Sequence, residues 1–337
     1  MNFWEKLPTP FFVLAPMADV TDAAFRRMIA KYSAHTRADG TIGGPDVMWT
    51  EFVAADGLMR ATPEGKAKLM ADLIYSEEER PIVAQLFSSN PEYMEAAARL
   101  CRELGFDGID INMGCPDQSI EKQGCGAAMI KNPENARAII RAAKRGAGDL
   151  PVSVKTRVGY NTEEIDTWIP QLLVEGIAAL TLHARTRKEM SKVPAKWEYV
   201  SRVVALRDQI APGVCILGNG DVENLADARQ KAEQYGPDGV MLGRSIFGNP
   251  WLFHPEKDLQ TVTLEERLLV MTEHTKLFSE LLPHKNFAVM KKHYKAYVNG
   301  FPGAAELRHQ LMEQNTASDI ERVVHAFLSN PHQNTVD

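Results

Sequence analysis

Eight short apolar or β-branched runs set the strongest constraint on this chain: Phe11–Ala15, Val47–Phe52, Ile82–Phe87, Gly108–Asn112, Val152–Thr156, Ala179–His183, Val214–Leu217 and Gly239–Leu242. Their starts recur about every 33 residues, the length of a strand, a loop, a helix and a second loop. The runs are continuous rather than alternating, so they read as strands buried on both faces. Eight such units predict an α/β architecture, a parallel (β/α)8 TIM barrel, with a doubly wound open sheet as the runner-up. Between the runs, Asn90-Pro91 opens a helix over Pro91–Leu104 that Gly105 closes, and Asn132-Pro133 opens another through Ala143. After Pro255 no strand-like run follows. Leu264–Leu282, Phe287–Asn299, Ala304–Gln314 and Ser318–Leu328 read as helices, which predicts a catalytic barrel over 1–255, a small all-helical domain over 256–331 and a frayed tail over 332–337.

Composition excludes several classes. Hydrophobic residues make up 45% of the chain and charged ones 24%, so global disorder is ruled out. No run approaches the roughly 18 consecutive apolar residues that cross a bilayer, and Glu5, Lys6 and two prolines interrupt the amino end where a signal peptide would be apolar. A cytoplasmic protein with no membrane contact is expected. Cys101, Cys115, Cys125 and Cys215 form neither a disulfide framework nor a CxxC pair, so reduced thiols and no bound metal are expected. The net charge of -6 argues against indiscriminate coating of nucleic acid, yet two stretches are locally basic. Lys285–Arg308 carries five Lys/Arg against Glu306, and Arg185–Arg207 carries seven against Glu189 and Glu198.

In a barrel of this kind the active face is built from loops after the strand carboxyl ends, and the unusual polar or glycine-bearing clusters fall there. Gly218-Asn219-Gly220-Asp221 after the seventh run and Gly243-Arg244 after the eighth supply backbone N–H groups and a guanidinium suited to a phosphate; alone, the first is also an ordinary turn. Lys155 ends the Val-Ser-Val-Lys run, where a partly buried ammonium needs an anion or an electron-rich ligand opposite it. A flavin fits that need, and a salt bridge to Asp110 or Glu51 is the alternative. Cys115 sits on a constrained turn between Asn112 and Pro116, placing its thiol as nucleophile or proton donor, whereas Cys101, Cys125 and Cys215 read as core thiols. His183, just before Arg185, is either a ligand-binding imidazole or a satisfied core histidine.

Taken together, Ala15-Pro16-Met17-Ala18, Thr50-Glu51-Phe52-Val53, Ala84-Gln85-Leu86-Phe87, Asn112-Met113-Gly114-Cys115-Pro116, Val154-Lys155-Thr156-Arg157, His183-Ala184-Arg185-Thr186, Gly218–Asp221 and Gly243-Arg244 resemble the flavin-dependent tRNA-dihydrouridine synthases. The resemblance runs over nearly the whole chain, and Lys291-Lys292-His293 with Tyr297 and Pro302-Gly303-Ala304 is similar to that family's RNA-binding helices. It implies FMN at the barrel mouth, with Ala15, Pro16, Met17 and Ala18 against the ring through backbone, Gln85 and Lys155 at the ring, and His183 beside it. Asn219, Gly220, Asp221, Gly243 and Arg244 would hold the phosphate. It implies NADPH or NADH as reductant and tRNA rather than DNA as partner, bound by a monomer. Asn112 and Arg185 would face the uridine, Cys115 would protonate C5, and Lys291, Lys292 and Lys295 would contact tRNA phosphates. For that role the thiol must start protonated, so the site should not depress its pKa.

Two departures from the family pattern stand out. Arg187–Pro194 replaces a Gln, an aromatic and a glycine before Trp197, and Ser245-Ile246-Phe247 follows Arg244 instead of Gly-Ala. Competing readings are a small-molecule flavin pyrimidine oxidoreductase, a flavin- and folate-dependent RNA methyltransferase on the same scaffold, and a non-catalytic RNA-binding module.

Overall fold

A computed structural model describes residues 2–329; the tail expected to fray, 332–337, lies outside the described residues. Eight strands form one parallel sheet: β1 (Phe11–Leu14), β2 (Met48–Trp49), β3 (Ile82–Phe87), β4 (Gly108–Met113), β5 (Val152–Arg157), β6 (Ala179–His183), β7 (Cys215–Asn219) and β8 (Gly239–Leu242). Each lies beside its sequence neighbours, and β1 pairs with β8, Phe11 opposite Gly239. The other edge of β1 is closed by Leu14 N–H donating to Val47 O at 3.2 Å and Asp46 N–H to Phe12 O at 2.8 Å. An open sheet would leave that edge bare. The sheet is therefore a (β/α)8 barrel, and a two-residue strand, Val53–Ala54, adds to the upper end of β3.

The barrel interior changes character with height, because side chains two residues apart along a strand face the same side. At the lower level Phe11, Val13, Trp49, Val83, Ala179, Leu217 and Met241 make an apolar cluster. Trp4, from the short turn Phe3–Lys6, closes it from the amino-terminal end, its ring centroid 5.8 Å from Phe11 and 5.9 Å from Trp49. Further along the strands, towards their carboxyl ends, the inward positions turn polar: Gln85, Asp110 and Asn112, Ser153 and Lys155, His183, Asn219. The helices that wrap the barrel start where their caps dictate. Asn90 accepts from Glu92 and Tyr93 N–H ahead of Pro91–Glu103, and Asn132 from Asn135 N–H ahead of Pro133–Ala147, which runs one turn past its expected end to Gly148.

The chain divides into two compact units, one comprising the residues up to Ala18 with Pro45–Arg244, the other Asp19–Gly44 with the chain from Ser245 onward. The second unit thus takes in a segment that precedes residue 256 in sequence by more than two hundred positions. Aromatic packing explains why. The helix Ala23–Tyr32, capped by Asp22 through Phe25 N–H, sends Phe25 onto His274 of helix Leu264–Leu281, stacked at 4.8 Å, and against His293 of helix Lys291–Tyr297 at 4.9 Å. Glu273 accepts from both Lys31 and Tyr32 at 2.6 Å. Helices Ala304–Glu313 and Ala317–Leu328 complete the unit. The segment Tyr32–Pro45, unassigned from sequence, carries an antiparallel pair, His35–Thr36 with Ile42–Gly43. Among the described residues no helix is long and apolar enough to cross a membrane.

Candidate active site

The loop after β4 holds Cys115 from several directions. Asn112 Oδ1 accepts from Gly114 N–H at 3.1 Å and from Cys115 N–H at 2.9 Å, an Asx-type turn that needs asparagine or aspartate at that spacing. Cys115 O in turn accepts from Ala127 N–H at 2.9 Å. The glycine following Cys125 is required here: Gly126 has φ +59°, and a Cβ on it would lie 2.6 Å from Cys115 O. Arg157 braces the loop, donating from Nε to Gly114 O at 2.7 Å and from Nη1 to Thr186 O at 3.2 Å and Met190 O at 3.1 Å. Burial pushes the Cys115 thiol above its ordinary range, outweighing the nearby Arg157 and Lys155 charges. The thiol is consequently protonated at neutral pH. Cys101 and Cys125 are buried, with pKa values pushed up to about 12 and about 11, as inert core thiols are.

Beside that loop, three inward side chains form a chain of amides and a carboxyl. Asn112 Nδ2 donates to Gln85 Oε1 at 3.2 Å, Gln85 Nε2 to Asp110 Oδ2 at 2.7 Å, and Ser153 Oγ to Asp110 Oδ1 at 2.6 Å. Desolvation raises the Asp110 carboxyl to about 6. Gln85 is fully buried and its amide is engaged on both sides. Lys155 donates to Asn219 Oδ1 at 3.1 Å, and Asn219 Nδ2 to Met241 O at 2.8 Å, which fixes the amide's orientation. Asp110 takes its hydrogen bonds from Gln85 and Ser153, and the sequence alternative of a Lys155–Asp110 bridge is not formed. With a neutral amide as its hydrogen-bond partner and Arg157 close by, Lys155 is pulled down to about 8, chiefly by desolvation.

The third cluster centres on Asp221, whose backbone has φ +48°. Its carboxylate accepts from Arg185 Nη2, from Arg244 Nη2 at 2.5 Å and from Ala195 N–H at 2.8 Å. Although desolvation works against the charge, these partners hold the carboxyl below its usual range. Arg185 also donates to His183 Nε2 at 3.1 Å. An arginine cannot accept, so His183 is neutral with its proton on Nδ1, in keeping with a pKa driven well below 6.5 by burial and then by the surrounding cations. Gly220, at φ +126°, lies where a Cβ would meet Ala195 Cβ at 2.8 Å and His183 Cδ2 at 3.2 Å. At Gly243 a Cβ would lie 3.6 Å from Ala15 Cβ and 3.7 Å from Met17 Sδ, in ordinary contact with the loop after β1.

Residues 13–331 match the family model described as dihydrouridine synthase. The chain belongs to the dihydrouridine synthase family. It is accordingly an enzyme, an oxidoreductase that saturates a pyrimidine double bond. A protein of Staphylococcus aureus (strain MRSA252) named "Probable tRNA-dihydrouridine synthase" is 40% identical over 329 residues, covering 97% of this chain and 95% of the relative. A Bacillus subtilis (strain 168) protein named "Probable tRNA-dihydrouridine synthase 2" is likewise 40% identical, over 97% of this chain and 96% of its own length. Among solved structures, a histamine dehydrogenase from Rhizobium sp. 4-9 overlays with a TM-score of 0.51 at 13% identity, over 79% of this chain and 48% of that one. A 2-naphthoyl-CoA reductase overlays with a TM-score of 0.53 at 10% identity, over 72% and 49%. These two share the barrel fold.

The fold gathers Cys115, Asn112, Lys155, His183, Arg185, Asn219, Gly220, Asp221, Gly243 and Arg244 at the carboxyl ends of the strands, with Ala15–Ala18 following β1. Asn112 and Asp221 turn their polar atoms chiefly onto the protein itself, one to shape the Cys115 turn and the other to hold two arginines. Lys291, Lys292 and Lys295 belong to the helical unit, on the helix Lys291–Tyr297, with Lys295 exposed and the other two half-buried. Three contributors were missed in the sequence. Arg157 and Ser153 flank Lys155 at two-residue spacing and so share its face, a signal that the Val-Ser-Val-Lys-Thr-Arg run carries. Glu121, which accepts from Arg187 Nε at 2.8 Å, has no such local signal because its partner lies 66 residues away.

Proposed function

We propose that this chain reduces the C5=C6 bond of uridine in tRNA, with FMN bound at the barrel mouth and NADPH or NADH as the source of electrons. The residues present fit a flavin. Lys155 holds a half-buried positive charge against a neutral amide, a state that an electron-rich or anionic ring would relieve. Arg244, beside the glycines at 220 and 243, offers an exposed guanidinium to a phosphate. Bound there, reduced FMN supplies the hydride that C6 of the uracil receives. The protein's own part is to hold the base and to deliver a proton. As charge develops at C5 and the C4 carbonyl, Cys115 gives its proton to C5, and Arg157 and Lys155 close to the sulfur favour the thiolate left behind. Asn112 fixes the loop backbone at Gly114 and Cys115, so the turn that carries the thiol, packed beside Phe87, Ile120 and Cys125, is set before substrate arrives. Stacked bases hide the face that must be attacked, so the uridine is splayed out of its loop into the mouth.

The observation that carries this reading is a thiol kept protonated by burial, on a loop over-determined by Asn112, Arg157 and Ala127, at the mouth that also holds Lys155. The test is incubation of the purified protein with unmodified tRNA and NADPH, followed by nucleoside mass analysis. A uridine heavier by two hydrogens is expected. Cys115→Ala should stay yellow with bound flavin and lose at least about a hundredfold in turnover, the lower end of what a positioned proton donor contributes. A gain of a methylene-sized mass would favour the methyltransferase reading, and turnover of free uracil in place of tRNA would favour the small-molecule reading.

A further inference from the structure

The basic stretch Arg185–Arg207 is largely neutralised from within. Arg185 pairs with Asp221, Arg187 with Glu121, Lys196 with Glu189 at 3.7 Å, Arg202 with Glu163 and Asp166 at 2.8 and 2.9 Å, and Arg207 with Asp208 and Asp238 at 2.6 Å. Lys188 and Lys192 are what remains, exposed and without a carboxylate partner among the described residues. Both stand on the turn that replaces the family's Gln-aromatic-Gly segment. That turn is built firmly: Thr186 N–H donates to Glu189 Oε2 at 2.8 Å, Lys188 N–H to Tyr160 O at 2.9 Å, and Arg187 reaches Glu121 on the short helix Gln118–Glu121 that follows Cys115.

A third cation with no carboxylate partner among the described residues comes from a different element. Lys131, at the end of the turn Gly126–Lys131, lies with Nζ 4.2 Å from the centre of the half-buried Tyr160 ring, and Arg187 approaches the same ring at 5.3 Å. Loops after β4, β5 and β6 thus set Lys131 over the Tyr160 ring and join the turn that bears Lys188 and Lys192 to Tyr160 through Lys188 N–H, on the carboxyl-terminal side of the barrel, the side of Cys115. Carboxylates close by are already committed, Glu121 to Arg187, Glu189 to Thr186 and Lys196, and Glu164 to Tyr160 N–H at 3.0 Å. Lysines left unpaired on a turn that is otherwise tied down at each end are not there to stabilise it.

We propose that Lys131, Lys188 and Lys192, on loops joined at Tyr160, form a rim that binds the ribose–phosphate strand flanking the target uridine. The inference rests on the reading of tRNA as substrate and adds a contact surface on the barrel to it. A preordered rim suits a splayed strand, because lysines as mobile point charges accept phosphates at several spacings, while the anchored turn costs little ordering on binding. Each phosphate contact made in this way adds a share of counterion release to affinity.

The test is direct binding of an unmodified tRNA transcript to the holoenzyme across a salt series. Lys131→Gln, Lys188→Gln and Lys192→Gln combined should raise Kd about tenfold near 0.1 M salt and flatten the log–log salt slope by about two, close to the single-strand value of about 0.7 per contact. The corresponding triple arginine variant should bind within about twofold of wild type, since it keeps the charge. Lys66→Gln with Lys68→Gln, exposed on the helix Pro63–Ala71, serves as a control for net charge. A glutamine triple variant with wild-type Kd and slope, or an equal loss in the control, would overturn the rim. Binding is read independently of turnover, so a wild-type protein that binds tRNA through this rim without forming dihydrouridine would sink the functional reading and leave the rim standing.

Discussion

At the scale of single residues, the candidate site leaves one charge incompletely answered. Lys155 meets an amide oxygen, not a carboxylate, and its ammonium is held near 8 by desolvation. A lysine depressed in this way is protonated in the free protein below about 8 and neutral above it. If the bound flavin favours the charged form, binding above that pH must carry a proton with it, and affinity falls by up to about tenfold per pH unit. FMN titrations of the flavin-free protein between pH 7 and 9.5, followed by flavin fluorescence, should show that decline. In Lys155→Met the affinity should be weaker at pH 7 and independent of pH over the same range; a pH-independent wild type would refute the role. The position of Lys155 was legible because it ends a strand-like run, as were Cys115, His183 and Arg244. What the run does not reveal is which polar atoms answer one another. Gln85 was expected at the flavin ring and is buried against Asp110 and Asn112, and Asp221 was expected at the phosphate and holds Arg185 and Arg244. Those partners lie 23 to 36 residues apart, so no local pattern encodes them.

At the scale of elements, the barrel was readable from its repeat because each βα unit restates the same apolar run and capped helix. The helical unit was readable only in part. Its four carboxyl-terminal helices follow from periodicity and turn residues, but the recruitment of Asp19–Gly44 depends on ring packing across a chain separation of some 250 residues. That packing has a thermodynamic consequence. His274 and His293 are buried among Phe25, Phe247 and Tyr297, 4.8 Å from one another in an edge-on contact. Desolvation drives His274 down to about 3, and desolvation, then His274 and Lys292, drives His293 well below 6.5. Folded-state values below the unfolded value mean that the unfolded chain binds more protons in acid. The stabilisation is complete above about pH 6.5 and is lost as pH falls towards the folded values, at about 1.4 kcal/mol per pH unit for each histidine. Denaturant melts of the protein between pH 7.5 and 5 should show this loss. His274→Phe with His293→Phe should flatten it, and an unchanged slope in the double variant would place the acid sensitivity elsewhere.

At the scale of the whole molecule, a chain of net charge -6 has to bind a polyanion, so its attraction for tRNA must be local. We propose that the stretch Lys285–Arg308 meets that need, and differently from Arg185–Arg207. Of its cations, Arg308 donates to Val298 O at 2.7 Å and supports the helix end, whereas Lys291 and Lys295 recur one turn apart on the helix Lys291–Tyr297, beside Lys292. His293, Tyr294 and Tyr297 of the same helix are buried, which fixes the helix against its unit and leaves Lys295 outward. A helix anchored by its aromatic face presents its lysines at constant spacing, and each phosphate neutralised contributes to affinity through ions released into bulk solution. Glutamine at 291, 292 and 295 should therefore weaken tRNA binding about tenfold or more near 0.1 M salt and reduce the slope of log Kd against log salt by about two. Reduction of the bound flavin by NADPH in the absence of RNA uses none of these residues and should proceed at the wild-type rate. Parallel losses in the two assays would mean that the substitutions had damaged the fold, and equal tRNA affinity would remove the helix from the RNA-binding surface.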